Sequence, residues 1–132
     1  MGDGVRIRQT LILEDFPQPA LARALSPNGR AHWGVEKRAK DAVAVVVVAG
    51  IRTSGLRPVG GPVRLTCRWV FPTRARRDLD NLSTGVVKRL IDVLREQEIL
   101  ADDDSRHVVE LRVEAVYEKG RRALEIVMEE AA

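Results

Sequence analysis

Five aspartates carry the chemical interest of this 132-residue chain. Asp78 and Asp80 stand one residue apart in Arg77-Asp-Leu-Asp-Asn81, and Asp102-Asp103-Asp104 follow about twenty residues later. Two carboxylates so spaced, in a loop that leads into a helix, can aim at a common point. A third from elsewhere would complete an oxygen-rich site. Carboxylates crowded into one pocket repel each other, and a divalent cation is the simplest way to hold them together. Mg²⁺ suits such a set, with Mn²⁺ as a substitute, because it takes a few carboxylates and keeps water or phosphate oxygens in its other positions. One or two such ions activate water and stabilise charge on a scissile phosphate. The Cys and His spacings of a zinc site do not occur in the sequence. A calcium loop starting at Asp78 fits poorly, since Leu82 stands where that loop wants an oxygen ligand and Ser83 where it wants glycine.

The same residues have plainer roles open to them. Asp80 or Asn81 can be a helix N-cap, Asp78 can gain from the helix dipole, and Asp102 to Asp104 can form a solvated turn. Arg74, Arg76 and Arg77 come immediately before the acidic motif, where they can hold phosphates beside a metal. Arg30, Lys37, Arg38 and Lys40 make a second basic cluster. Phosphate contacts of this kind give affinity and register but little sequence information. The alternative for the 74–77 stretch is a solvated arginine loop. His32 and His107 have no partner histidine nearby and read as a packed loop residue and a strand opener. Trp33 and Trp69 read as core or interface aromatics.

The elements that must position these groups follow from periodicity. Residues 6–13 form a first strand, with Ile7, Leu11 and Leu13 on alternate positions. Pro17, Pro19 and Ser26-Pro-Asn-Gly29 mark a loop. Residues 31–52 combine a β-favouring valine run at 45–48 with helix-favouring length and charge, and the expectation is a helix whose second half is well buried. Val63 to Phe71 alternates apolar and polar, a clear strand, and Pro72 ends it. A helix is expected over 81–97, with Leu82, Val86, Leu90 and Val93 on its apolar face and Asn81, Gly85, Lys88 and Asp92 on the other. Strands at 107–117 and 123–128 flank a Lys119-Gly120 turn. The expectation is a single α/β domain of the α+β kind over 1–132, a small mixed sheet with two helices in the order β-α-β-α-β-β. The 81–97 helix is about 25 Å long, so Asp102 to Asp104 reach Asp78 only if the chain returns. Pairing of the 107–117 strand beside the strand that precedes Asp78 would supply that return.

Bulk properties are compatible with a polyanionic partner. Residues 1–77 hold 14 Lys/Arg against 5 Asp/Glu, and residues 78–132 hold 8 against 14, for a net charge of +3. The basic part would draw a polyanion, and the acidic part would need cations to approach it. Equally, both halves can simply carry solvated faces. Hydrophobic residues are 45% and charged residues 31%, within the range of a globular domain. Cys67, the single cysteine, reads as a buried thiol, which fits a reducing cytosol. No signal peptide is expected before the first strand, and the apolar run at 42–50 is short of the roughly 20 residues a membrane span needs.

Three segments in combination, Arg77-Asp-Leu-Asp-Asn-Leu82, Lys88-Arg-Leu-Ile-Asp92 and Ile99-Leu-Ala-Asp-Asp103, resemble the signature of the RusA family of Holliday-junction resolvases. That family shows D-x-D-N-L, a K-x-x-x-D-x-L helix and a closing Asp-Asp before a strand. Leu25-Ser-Pro-Asn-Gly-Arg30 with His32-Trp33 is similar to the family's N-terminal S-x-N-x-R-x-H-W loop, so the resemblance spans about residues 20–117. It implies Mg²⁺ ligands at Asp78, Asp80 and Asp103, with Asp104 open as a replacement for Asp103, and a catalytic lysine at Lys88. It further implies a homodimer acting on a four-way DNA junction, in the cytoplasm of a bacterium or its prophage. Two equivalent strands to cut match a two-fold dimer with two sites. The sequence departs from the pattern by about one extra helical turn, Ser83 to Val86. This sets Lys88 on the same helical face as Asn81 but about 10 Å further along the axis. A non-catalytic protein that binds branched DNA with the same fold is the reading that this stretched spacing keeps open.

Overall fold

A computed structural model describes residues 7–26, 33–75, 77, 82, 84–102 and 104–131. Its elements are β1 (Arg8–Glu14), α1 (Pro19–Leu25), α2 (Trp33–Ser54), β2 (Val63–Phe71), α3 (Val86–Glu96), β3 (Val108–Tyr117) and β4 (Ala123–Glu130). The four strands form one mixed sheet in the order β1-β4-β2-β3, with β2 parallel to β3 and both β1 and β2 antiparallel to β4. The domain is therefore α+β. Among the described residues it has three helices rather than two, and the order gains an α between β1 and α2.

The added helix has a simple cause. Pro19 sits in its first turn, where the missing N–H costs nothing and the fixed φ is already helical. Ala20-Leu-Ala-Arg-Ala-Leu25 then supplies strong helix formers. Reading Pro17 and Pro19 as loop markers overlooks this use of proline at a helix start. α2 runs unbroken through the valine stretch, 22 residues or roughly 33 Å. Its burial is a single stripe, Ala39, Val43 and Val47, with Val45 69% exposed, so the second half is not well buried, contrary to expectation. Tertiary packing of that stripe overrides the β preference of the valines.

Sheet and helices share one core. Leu11, Leu13, Leu65, Cys67, Leu124, Ile126 and Met128 project from one face of the sheet onto Val43 and Val47 of α2 and Val86, Val87, Leu90 and Leu94 of α3. Each such side chain contributes about 1.5–3 kcal/mol on burial. The alternation seen in residues 63–71 holds through Trp69, with Val63, Leu65, Cys67 and Trp69 buried, and ends at Val70, which is buried as well, and Phe71, which is half-buried. The opposite face carries ion pairs instead: Arg64 with Glu110 (3.5 Å), and Arg68 with Glu114 (3.5 Å) and Glu125 (3.6 Å). Arg121, beside the β3–β4 turn, binds Glu14 at the end of β1 together with Glu118 and Glu125.

The helical layer stops short of β3. Leu111 lies across from Leu65 and Tyr117 across from Phe71, on the sheet face that the helices cover elsewhere. Leu111 is nevertheless 43% exposed and Tyr117 41%.

Candidate metal and phosphate site

β3 pairs parallel beside β2, with Val63 across from Val108 and Phe71 across from Tyr117, which sets the Asp104 turn beside the start of β2, at the end opposite to Phe71 and Arg77. The turn before β3 is built by Asp104. Its Oδ1 accepts the backbone N–H of Arg106 (3.0 Å) and of His107 (3.2 Å) and lies 2.7 Å from His107 Nδ1. Its Oδ2 accepts from the Arg106 guanidinium at 3.2 Å. Its backbone carbonyl accepts from His107 and Val108, which launches the strand. These donors, His107 first, hold the Asp104 carboxyl down to about 2.

Asp102, Asp104 and His107 each offer a ligand atom, all within 4.8 Å of one another. Two carboxylates and an imidazole at that spacing fit a divalent cation by geometry. The fit has a chemical qualification: Asp104 already spends its acceptor capacity on the turn. With Nδ1–H donating to Asp104, His107 keeps Nε2 as the acceptor, the arrangement that commonly stands behind a ligating histidine. The solvated-turn reading of Asp104 is thus half right, since the turn is real and the carboxylate makes it. His107 is the residue that sequence reasoning passed over. Its signal was the i, i+3 spacing in Asp104-Ser-Arg-His107.

Lys88 and Asp92 stand one turn apart on α3, and both line a cavity of about 380 Å³ with Thr84, Ile91, Ser105, Val108 and Leu111. Lys88 thereby shares a wall with Ser105, the neighbour of Asp104. The same two side chains line a second, more polar cleft of about 370 Å³, between α3, Leu25 at the end of α1, and Glu36 and Lys40 of α2. Thr84, Lys88 and Asp92 border both.

The helix carrying Lys88 begins at Val86, with Leu82 and Thr84 helical before a turn at Gly85. The expected polar face is corrected at one position. Gly85 is buried rather than solvent-facing, and a Cβ there would meet the Leu25 carbonyl oxygen at 2.6 Å. Glycine is what lets α1 approach so closely.

Two of the arginines go to the other end of β3. The Arg74 guanidinium lies 4.7 Å from the centre of the Tyr117 ring, and that of Arg77 lies 4.0 Å from the Phe71 ring. Tyr117 closes the ten-residue β3 that Asp104 opens, so the arginines and the Asp104 turn are about 30 Å apart along the strand. Asp78, Asp80, Asp103, Arg76 and Arg30 lie outside the described residues, as does His32. Trp69 is in the core, whereas Trp33 opens α2 with 72% of its surface exposed. Cys67 is buried, which pushes its thiol up to about 12 and makes it inert. Among the described residues no helix is long and apolar enough to cross a membrane. The chain matches no known family model and no curated protein.

Proposed function

We propose that this chain is a Mg²⁺-dependent endonuclease of the RusA kind, acting on four-way DNA junctions as a homodimer in the cytoplasm. The observation that carries the reading is a coincidence of sequence and fold. The D-x-D-N-L, K-x-x-x-D and Asp-Asp segments occur in the family's order, and Lys88 and Asp92 of the second share a cavity with Ser105, two residues past the third.

In this reading Asp78, Asp80 and Asp103 hold the cation, with Mn²⁺ as a substitute. When bound, the cation supplies Lewis-acid stabilisation of the scissile phosphate and a more acidic water. Lys88 offers its ammonium to the charge that develops on the phosphate or the leaving oxygen. Asp104 and His107 fix the turn that presents the third carboxylate. Arg30, Arg74, Arg76 and Arg77 grip the DNA backbone, which makes affinity fall steeply with salt.

The extra turn between Asn81 and Lys88 favours one other reading, a branched-DNA-binding protein of the same fold without turnover. A synthetic four-way junction incubated with protein and Mg²⁺ separates the two. Paired strand cuts are expected, lost by at least a hundredfold in Asp80→Asn, with Lys88→Ala slowed about 10²-fold or more. Junction that is retarded but uncut at every Mg²⁺ and Mn²⁺ concentration rejects the nuclease and leaves the binder.

A further inference from the structure

We infer that the uncovered face of β3 seats an unpaired DNA strand, with bases on an apolar floor and phosphates on Arg74 and Arg77. The inference rests on the DNA side of the reading above and narrows it to the kind of strand bound, but it needs neither a metal nor turnover.

The floor is a strand that the helices fail to reach. Leu111, Val113, Ala115 and Tyr117 lie across from Leu65, Cys67, Trp69 and Phe71, so they share the sheet face on which the helices pack. Over β2 that face is sealed through Trp69. Over β3 Leu111 and Tyr117 stay exposed, Ala115 is exposed and Val113 is only half-buried. From Leu111 to Tyr117 the open floor runs about 20 Å. A cavity stands at each end. One is the space of about 380 Å³ that Leu111 shares with Lys88 and Asp92, and the other, of about 200 Å³, is lined by Thr73, Arg74, Arg77, Ala115 and Tyr117 among others.

Charge selects the occupant. Arg64, Arg68, Arg112 and Arg121, on or beside the sheet, each meet a glutamate. Arg74 and Arg77 meet no carboxylate among the described residues, and none of the described residues lining their cavity is acidic. What holds them is the pair of rings beneath, Tyr117 under Arg74 and Phe71 under Arg77. Arg77 adds two long hydrogen bonds to Thr73, at 3.5 Å, while its buried Nε has no hydrogen-bond partner among the described residues. Guanidiniums held flat on aromatic rings and left without a counter-charge suit phosphate oxygens, which accept their N–H groups in pairs.

The apolar floor then separates an unpaired strand from a duplex. A duplex stacks its bases inside and would bring only sugars and phosphates to this face, leaving Leu111 and Tyr117 in water. An unpaired strand brings base faces for those side chains and for the guanidinium planes, and phosphates for the arginines. At the 3.4 Å spacing of a stacked strand the floor holds up to about six nucleotides. A strand lying along β3 touches the arginine pair at one end and Lys88 at the other, so the separation of the arginines from the Asp104 turn becomes the length of the seat.

Fluorescence anisotropy in EDTA tests the seat, with a labelled thymidine homopolymer of roughly a dozen nucleotides as the probe. Wild type is expected to bind it at least about tenfold more tightly than a blunt duplex of the same length at the same salt. Leu111→Ser and Tyr117→Leu, folded by circular dichroism, are each expected to weaken binding about fivefold or more, as loss of a base contact does. Tyr117→Phe should keep the affinity, and so should Val45→Ser on the exposed side of α2. Arg74→Ala and Arg77→Ala should each flatten the salt dependence by about one in log–log slope. Equal affinity for the duplex overturns the inference, as does full affinity in folded Leu111→Ser and Tyr117→Leu. It is also overturned if sedimentation shows that Leu111→Ser breaks an oligomer while oligonucleotide affinity is unchanged, since a second copy then covers the face. A single strand bound as described beside junctions left uncut removes the nuclease and leaves the seat, whereas junctions cut without affinity for the homopolymer remove the seat alone.

Discussion

β2 and β3 lie side by side, in continuous register from Arg64 and Glu110 onward, and their sequences alternate in the same way there, yet the sheet treats them differently. β2 is covered by helices on one face and flanked by strands on both edges. β3 has one neighbour among the described residues, and the helical layer leaves Leu111 and Tyr117 open beside it. Alternation therefore says which side chains share a face. What covers that face depends on where the strand falls in the order of the sheet.

Leu65 and Leu111 test the contrast most sharply, since they are partners across the two strands. Leu65→Ala should cost about 2–5 kcal/mol, the range for a sealed leucine. Leu111→Ala should cost under about 1 kcal/mol in dilute protein, as an exposed position does. Urea unfolding of the two variants reads the difference directly, and equal losses would erase it.

The second test compares two glycines. A Cβ at Gly85 meets a backbone oxygen, which cannot rotate away, whereas one at Gly50 meets the tips of Leu11 and Leu13 at 2.9 Å. Gly85→Ala should destabilise by about 1–3 kcal/mol. Gly50→Ala should come out smaller, because those tips can give and alanine favours the α2 helix. Thermal unfolding that ranks them the other way would mean that α1 is free to move off α3.

The smallest effect belongs to the Asp104 turn. Its carboxyl is held below the ordinary carboxylate value of about 3.9, so the stability it lends is whole above that value and is lost as pH falls towards 2. Melting wild type beside Asp104→Asn from pH 7 downward should show a modest wild-type advantage that narrows below about pH 4 and has nearly gone by pH 2. An advantage that persists at pH 2 would mean that the side chain acts through shape rather than charge.

Much of the fold was legible because it rests on local periodicity. β2 follows from the alternation at 63–71, α2 from length and charge against a misleading valine run, and the β2–β3 pairing from strand order. α1 was missed because proline was read only as a breaker. The buried Gly85 was placed on a solvent face because a helical wheel knows nothing of α1 lying against it. In the candidate site, the shared face of Lys88 and Asp92 was readable from their spacing. His107 was not, since its importance comes from a hydrogen bond across a turn, and turn geometry leaves only a faint mark in sequence. The separation of Arg74 and Arg77 from Asp104 was likewise invisible, because adjacency along the chain says nothing about which end of a strand a loop occupies.

The strand order has a consequence for how this molecule comes together. β4 sits between β1 and β2, and among the described residues it is the only strand to which β1 is joined. During synthesis the first strand must therefore wait for residues 123–130 before it has anything to zip onto, and until then β2 also lacks a neighbour on that side. Long-range closure of this kind slows folding. It also leaves apolar strand edges open in the nascent chain, where aggregation competes. The Arg121 cluster, which ties Glu14 to the hairpin arriving last, is placed to latch that closing step.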